Sequence, residues 1–305
     1  PTPGFPDLLH RLLSPLGNAL PRYSLISYPQ PIDSSNATPA DWTRIARDIA
    51  ARYDDHDGFV VLHGNDTMAF TASALSFMLQ GLDKPVILTG SQIPLEAPRS
   101  DALQNLIGAL QLAAMDALNE VAILFGQRLL RGNRCTKVSS EAFAAFESPN
   151  LPALATLGTE VRWNRPVLLP RAANAHFEMP DYRAQVASFR FAPGLPQQAA
   201  QMIDALMTCK PDALILECYG AGNVPDRDPA LLDALARASR AGTVLVVRSQ
   251  CAHGSVAIGT YAAGSGMAEA GVVGGGDMSF EAIYAKLHHL LALGLDADAI
   301  RAAIA

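Results

Sequence analysis

Three short stretches carry residue types that can hold and transform a small charged molecule. Asp33-Ser34-Ser35 offers a carboxylate and two hydroxyls just ahead of Thr38-Pro39. Gly64-Asn65-Asp66-Thr67 offers an amide and a second carboxylate, and Arg134-Cys135-Thr136-Lys137 offers a primary amine. Asp66 can receive a ligand's ammonium group, while hydroxyls and backbone N–H groups of the 33–35 turn can receive its carboxylate. A buried Lys137 paired with Asp66 can move protons, because burial and a charge partner tune such groups. Together these features suit a small zwitterionic amino acid. Each also has a plainer meaning. Asp-Ser-Ser is ordinary turn composition, Asn65-Asp66 can simply cap a helix, and a lone lysine is usually a solvated surface residue. His63 fits a packing role more readily than a catalytic one. No single stretch decides; order and spacing carry the weight.

The elements that must position these residues are readable from apolar patterning. Phe59–Leu62, Val86–Leu88, Val121–Leu124, Ala213–Leu216 and Val244–Val247 are apolar throughout, and several end in Gly or small polar residues. Such runs predict strands buried on both faces, as in parallel sheets. Helical segments are expected from Pro39, with Thr38 as N-cap and Asp41 three residues on, and over 67–79, 100–113, 229–239 and 279–293. Alternation of strand and helix predicts an α/β protein. Open parallel sheets bind ligands beyond the carboxyl ends of their strands, which marks His63–Thr67 and Thr89–Gln92 as the loops to watch. Each precedes a helix, whose N-terminus would favour a carboxylate. The Pro-, Arg- and Ala-rich stretch 164–187 interrupts the rhythm. It reads as a linker between a larger N-terminal parallel-sheet domain, 1–163, and a smaller C-terminal α/β domain, 188–305.

Bulk properties exclude several classes. The chain has 305 residues, half of them hydrophobic, and a formal net charge of -6. Mild acidity gives no basic footprint for nucleic acid. No apolar run has the length of a membrane span, and no basic n-region with an apolar h-region marks a secretory leader. Cys135, Cys209, Cys218 and Cys251 form no CxxC pair and no zinc spacing with histidine, so they read as reduced intracellular thiols. No GxGxxG follows an early strand, which argues against a dinucleotide fold.

The chain resembles the bacterial asparaginase family, type I cytoplasmic branch, along almost its whole length. The matching residues are Tyr53–Phe59, His63–Met68, Thr71–Met78, Lys84–Leu95, Arg131–Arg134, Thr136-Lys137, Ser148–Leu151, Tyr219-Gly220 with Gly222-Asn223, and Gly274-Gly275 with Asp277-Met278. The resemblance implies an asparaginase-like fold and hydrolysis of L-asparagine to L-aspartate and ammonia by a threonine nucleophile. It implies no metal and no organic cofactor, a cytoplasmic homodimer or homotetramer, and an amino acid as the bound molecule. It assigns catalysis to Asn65, Asp66 and Lys137, and substrate binding to Asp33, Ser34, Ser35, Asn65, Asp66 and Ser91. It also points to a regulatory site at Thr136, Glu217 and Cys251. Three departures stand out. The family's first strand and its Thr-Gly-Gly-Thr loop, source of the first nucleophilic threonine, do not occur in the 305 residues. Asn65 replaces the family's second threonine, and an amide has no hydroxyl to relay a proton. The alternative is therefore an impaired member that binds asparagine or aspartate. Finally, Glu217 stands where an effector-binding arginine is expected, so the usual regulation is not expected to operate.

Overall fold

The computed structural model describes residues 4–195, 197–225, 229–258 and 265–305. The chain forms two compact units, Pro1–Ser148 with Pro152–Glu178, and Pro149–Leu151 with Met179–Ala305.

The first unit contains α1 (Phe5–Leu13), α2 (Pro39–Ala50), β1 (Phe59–Leu62), α3 (Met68–Met78), β2 (Leu79–Gln80), β3 (Val86–Thr89), α4 (Ala102–Ala113) and β4 (Val121–Phe125). It continues through β5 (Arg128–Arg131), β6 (Thr136–Lys137), β7 (Phe146–Glu147), β8 (Ala155–Leu157), β9 (Val161–Trp163) and β10 (His176–Phe177). The helix starts follow local chemistry. Pro39 opens α2, and the Asp41 carboxylate accepts from the Thr38 N–H at 2.8 Å, which satisfies an end donor.

Its main sheet has the order β1-β3-β4-β5-β8-β9. The expectation of a parallel sheet holds only for β1, β3 and β4; the pairs from β4 to β9 are antiparallel, so the sheet is mixed. The cause is the turn at Gly126-Gln127, where φ is 54° and 67°. Left-handed conformation at both central residues is what a two-residue hairpin needs to match strand twist. A side chain at Gly126 would run into the Phe143 carbonyl at 2.7 Å. The reversed strand β5 is anchored by Arg131, whose guanidinium pairs with buried Glu120 at 2.5 Å and donates to the Val167 carbonyl at 2.6 Å.

β3 and β4 are buried along their length, as all-apolar runs require, because α4 covers them from one side through Ala109 and Leu112. β1 departs from that expectation. It is an edge strand among the described residues, its residues are only half-buried, and Leu62 is 39% exposed.

The second unit contains β11 (Val186–Arg190), α5 (Gln198–Met207), β12 (Ala213–Cys218), α6 (Pro229–Arg240), β13 (Val244–Ser249), α7 (Ser265–Glu269), β14 (Val272–Gly274), α8 (Phe280–Ala292) and α9 (Ala297–Ile304). Its sheet, β11-β12-β13-β14, is parallel throughout. Successive residues alternate between faces. Leu214, Leu216, Leu245 and Val247 pack with residues of α5 and α6, whereas Ala213, Ile215, Val244 and Val246 pack with residues of α8 and α9. Helices on both faces explain why these strands need an apolar residue at every position.

The expected linker at 164–187 is not one segment. Residues 164–178 remain in the first unit: the Asn164 N–H donates to Leu154 O, β10 pairs with β2, and the Glu178 N–H donates to Met78 O. β11 then begins at Val186, inside the expected linker. Asn150 belongs to the second unit, where its side-chain amide donates to Gly254 O and Asp277 O. Composition could not reveal these pairings, which depend on backbone groups rather than side-chain type.

Candidate active site

The loops after β1 and β3 converge with the segment around β6. β1 delivers His63-Gly64-Asn65-Asp66 ahead of α3, and β3 delivers Gly90-Ser91-Gln92 ahead of α4. The chain leaving β5 passes α3, where Ser73 Oγ donates to Gly132 O at 3.4 Å, and so brings β6 back towards the start of that helix. Lys137 on β6 closes the group. Its Nζ donates to Asn65 Oδ1 and to Asp66 Oδ1, each at 2.7 Å. Asn65 Nδ2 donates in turn to Ser91 O at 2.8 Å and to Gln92 Oε1 at 2.6 Å.

The expected buried Lys137–Asp66 pair is corrected in one respect. The Lys137 side chain is 20% exposed, but that of Asp66 is 62% exposed. Asp66 lies at a loop tip, so one carboxylate oxygen meets the lysine while the group as a whole faces solvent. It retains capacity to accept from an incoming cation.

The 33–35 turn lies beside this group. Thr67 Oγ1 donates to Ser34 O at 2.7 Å. Ser34 is buried against Gly64, where an added Cβ would sit 2.4 Å from Ser34 Oγ, so glycine is required for the approach. Asp33 is exposed and accepts from the Ser35 hydroxyl at 2.8 Å, the Ser35 N–H at 3.2 Å and the Asn36 amide at 2.8 Å. The Ser35 hydroxyl, then its N–H, hold the Asp33 carboxyl below the ordinary carboxylate range. Asp33, Ser34, Ser35, Asn65, Asp66, Ser91 and Lys137 thus come from neighbouring loops of one unit. Ser91 contributes its carbonyl to this network, and its side chain is not part of the Asn65 contact.

His63 has the packing role. Nδ1 pairs with Gly64 O at 2.6 Å and Nε2 with Thr71 Oγ1 at 2.9 Å, while burial pushes the imidazole below the ordinary histidine range. With both nitrogens engaged, the ring ties Gly64 to Thr71 and holds the loop.

Gln92 is the participant that patterning did not single out. Its peptide N–H donates to both carboxylate oxygens of Asp101, at 3.0 and 3.1 Å, and the Ile93 N–H donates to the same group at 3.1 Å. Buried Asn105 donates to Gly90 O at 2.9 Å and to Asp101 at 3.1 Å. The first turn of α4 therefore clamps the loop that carries Gln92. The sequence signals were its place in the Thr89–Gln92 loop after a buried strand and in the matched stretch Lys84–Leu95.

The residues assigned to regulation divide between the units. Thr136 is in the first; Glu217 and Cys251 are in the second. Glu217 faces Arg190 and Arg248 across the strands, register partners on β11 and β13. Its carboxylate lies 2.6 Å from Arg248 and 3.8 Å from Arg190, and its side chain is 15% exposed. Cys251 is exposed, and no disulfide joins cysteines among the described residues. No group of His, Cys, Asp and Glu suited to a metal ion occurs among the described residues, and no described helix is long and apolar enough to cross a membrane.

Comparison with known proteins agrees with this geometry. The family model described as Asparaginase, N-terminal matches residues 14–169, and Glutaminase/Asparaginase C-terminal domain matches residues 185–304. L-asparaginase 1 of Escherichia coli (strain K12) is 46% identical over 285 residues, which cover 93% of this chain and 83% of the relative. The crystal structure of L-asparaginase I from Vibrio cholerae O1 biovar eltor superposes with a TM-score of 0.90 at 41% identity, over 99% of this chain and 90% of that one. The thermostable L-asparaginase from Thermococcus kodakarensis gives 0.86 at 33% identity, over 98% and 88%.

Proposed function

The chain belongs to the asparaginase family, and from that premise we propose that it hydrolyses L-asparagine to L-aspartate and ammonia. The observation that carries this reading is the lysine fork: one ammonium bridges Asn65 and Asp66 at 2.7 Å each, beside an exposed carboxylate and a capped Asp-Ser-Ser turn. The turn receives the substrate α-carboxylate through Ser34, since the Ser35 hydroxyl and N–H are bonded to Asp33. Asp66 receives the α-ammonium. That fixes both ends of the amino acid head and leaves the side-chain amide near Asn65, Lys137 and the Ser91 carbonyl. A threonine hydroxyl adds to the amide carbon, the C–N bond breaks, and ammonia leaves carrying the transferred proton. Water then cleaves the resulting ester. Lys137 serves proton transfer in both steps. By the resemblance, the attacking threonine belongs to the Thr-Gly-Gly-Thr stretch that these 305 residues do not contain. The protein acts in the cytoplasm as a homodimer or homotetramer, without metal or cofactor.

A second reading is favoured by one observation. Asn65 uses both N–H donors on Ser91 and Gln92 and its oxygen on Lys137, so position 65 supplies no hydroxyl for the relay. On that reading the site binds asparagine or aspartate with little turnover. The test is ammonia release at saturating asparagine from the parent and from Lys137→Met, both carrying the family's Thr-Gly-Gly-Thr strand. Loss of about 10²–10⁴ in rate is expected for removal of the proton-transfer group. Equal rates would sink the catalytic assignment. Aspartate binding by calorimetry without ammonia release would select the second reading.

A further inference from the structure

Resting on that reading of the site, we propose that Gln92 is a positioning residue: it sets the orientation of the Asn65 amide and, through it, the place of the Lys137 ammonium. A backbone carbonyl can only accept. Gln92 Nε2 lies 2.9 Å from Ala142 O and 3.4 Å from Ser139 O, so this end of the Gln92 amide must be the donor. Its Oε1 then must accept, and it meets Asn65 Nδ2 at 2.6 Å. Asn65 is thereby turned with Oδ1 towards Lys137, the orientation in which it can accept from an ammonium. Ser91 O at 2.8 Å reinforces the same choice.

The bonds also close a ring. Lys137 precedes the loop 138–145, which is shut by the Val138 N–H on Ala145 O at 2.8 Å. Ser139 Oγ accepts from the N–H groups of Glu141 and Ala142 at 3.1 and 2.9 Å and holds the Ala142 carbonyl in place. From Lys137 the path runs to Asn65, to Gln92, to Ala142 and back along the chain to Lys137. Asp101 and Asn105 brace Gln92 from the α4 side. Gln92 is the member that ties the lysine's own loop to the residue the lysine contacts. Its side chain bonds to Asn65, Ser139 and Ala142 and to neither the 33–35 turn nor Asp66, so its effect is expected on turnover rather than on binding.

Two variants test this. Gln92→Met keeps the length of the side chain and removes all three side-chain hydrogen bonds; Gln92→Asn keeps an amide but is one methylene too short to span the gap. Both are expected to lower kcat for asparagine by about 10², the effect of misplacing a reacting group by roughly 1 Å, with KM within about three-fold. A merely structural brace would lower stability and leave kcat of the folded protein unchanged. Crystal structures of both variants decide the point whatever the activity. Asn65 rotated and Lys137 drawn off Asn65 Oδ1 support the role. Asn65 and Lys137 unmoved in both variants, or kcat within three-fold of the parent, overturn it. A parent protein that carries the family's Thr-Gly-Gly-Thr strand and still releases no ammonia refutes the proposed function instead, and the crystallographic comparison still decides this inference.

Discussion

The carboxyl ends of the parallel strands in the two units are alike in topology and opposite in what their charges do. In the first unit, the loops after β1 and β3 present Asp66, 62% exposed, with a single lysine contact. In the second, the ends of β11, β12 and β13 present Glu217, 15% exposed and set between Arg248 and Arg190. Ser249 Oγ and the Gln250 amide there bond the backbone at Gly220, Phe191 and Glu217, at 2.6 to 2.8 Å. Both places obey the rule that sites form where parallel strands end. What separates them is remaining bonding capacity. Asp66 can still accept from a ligand ammonium, whereas Glu217 is committed to arginines of its own fold. Arg248 is committed to Glu217 in turn, so weak asparagine binding at this sheet end is the expected outcome.

The largest effect expected from this contrast is at Asn65. If the first location is a catalytic site lacking one hydroxyl, Asn65→Thr raises asparagine turnover by at least about two orders of magnitude, the lower range of general acid–base assistance. Aspartate affinity changes much less, because a hydroxyl can replace one amide hydrogen bond to Lys137. Ammonia release at saturating asparagine, measured on the chain carrying the family's Thr-Gly-Gly-Thr strand, checks it. Rates agreeing within a few-fold would mean that position 65 has a holding role and no part in proton transfer.

Legibility in the sequence followed the range of the interactions. β3, β4, β12 and β13 were readable because burial on both faces leaves a local mark, an apolar residue at every position. The capped start of α2 was readable because Thr38, Pro39 and Asp41 act within one turn. β5, β8 and β9 were not. They are three or four residues long, with charged residues at Arg128, Arg131 and Arg162, and their hairpin turn uses Gln127 in a conformation usually given to Gly or Asn. The same distinction holds at the site. Asn65, Asp66 and Lys137 stood out by type and by family resemblance. Gln92 lay in a marked loop and a matched stretch, but no role attached to it, because its meaning lies in partners 27 residues back and 50 residues ahead. Exposure of Asp66 was also invisible, since a carboxylate after a buried strand reads the same whether it turns inwards or out.

A middle-sized effect is expected at Glu217. Replacing it with alanine leaves Arg248, whose side chain is 16% exposed, without its carboxylate. A hydrogen bond to a charged group is worth roughly 1.5–3 kcal/mol, so a loss of about 2 kcal/mol is expected. The denaturant midpoint of Glu217→Ala against the parent, under conditions where the slope is unchanged, measures it. A neutral result would show that Glu217 is not held by its neighbours and would remove the contrast with Asp66.

The smallest effect is expected at Arg190, and it tests whether the charges at this sheet end act as a pair or as a triad. Arg190 is the register partner of Glu217 on β11, but it lies 3.8 Å away and its side chain is 62% exposed. Water screens such a contact, and exposed pairs contribute little, about 0–1 kcal/mol. Arg248, with direct hydrogen-bond geometry at 2.6 Å, holds Glu217 by itself on this argument. Arg190→Ala should therefore shift stability by no more than about 0.5 kcal/mol, and the shift should be the same in the Glu217→Ala background. A double-mutant cycle read by urea denaturation measures the coupling. Coupling above about 1 kcal/mol would exceed what a screened surface pair supplies. The three residues would then form one cooperative ladder, and the carboxylate of Glu217 would be more firmly committed than its contact with Arg248 alone implies.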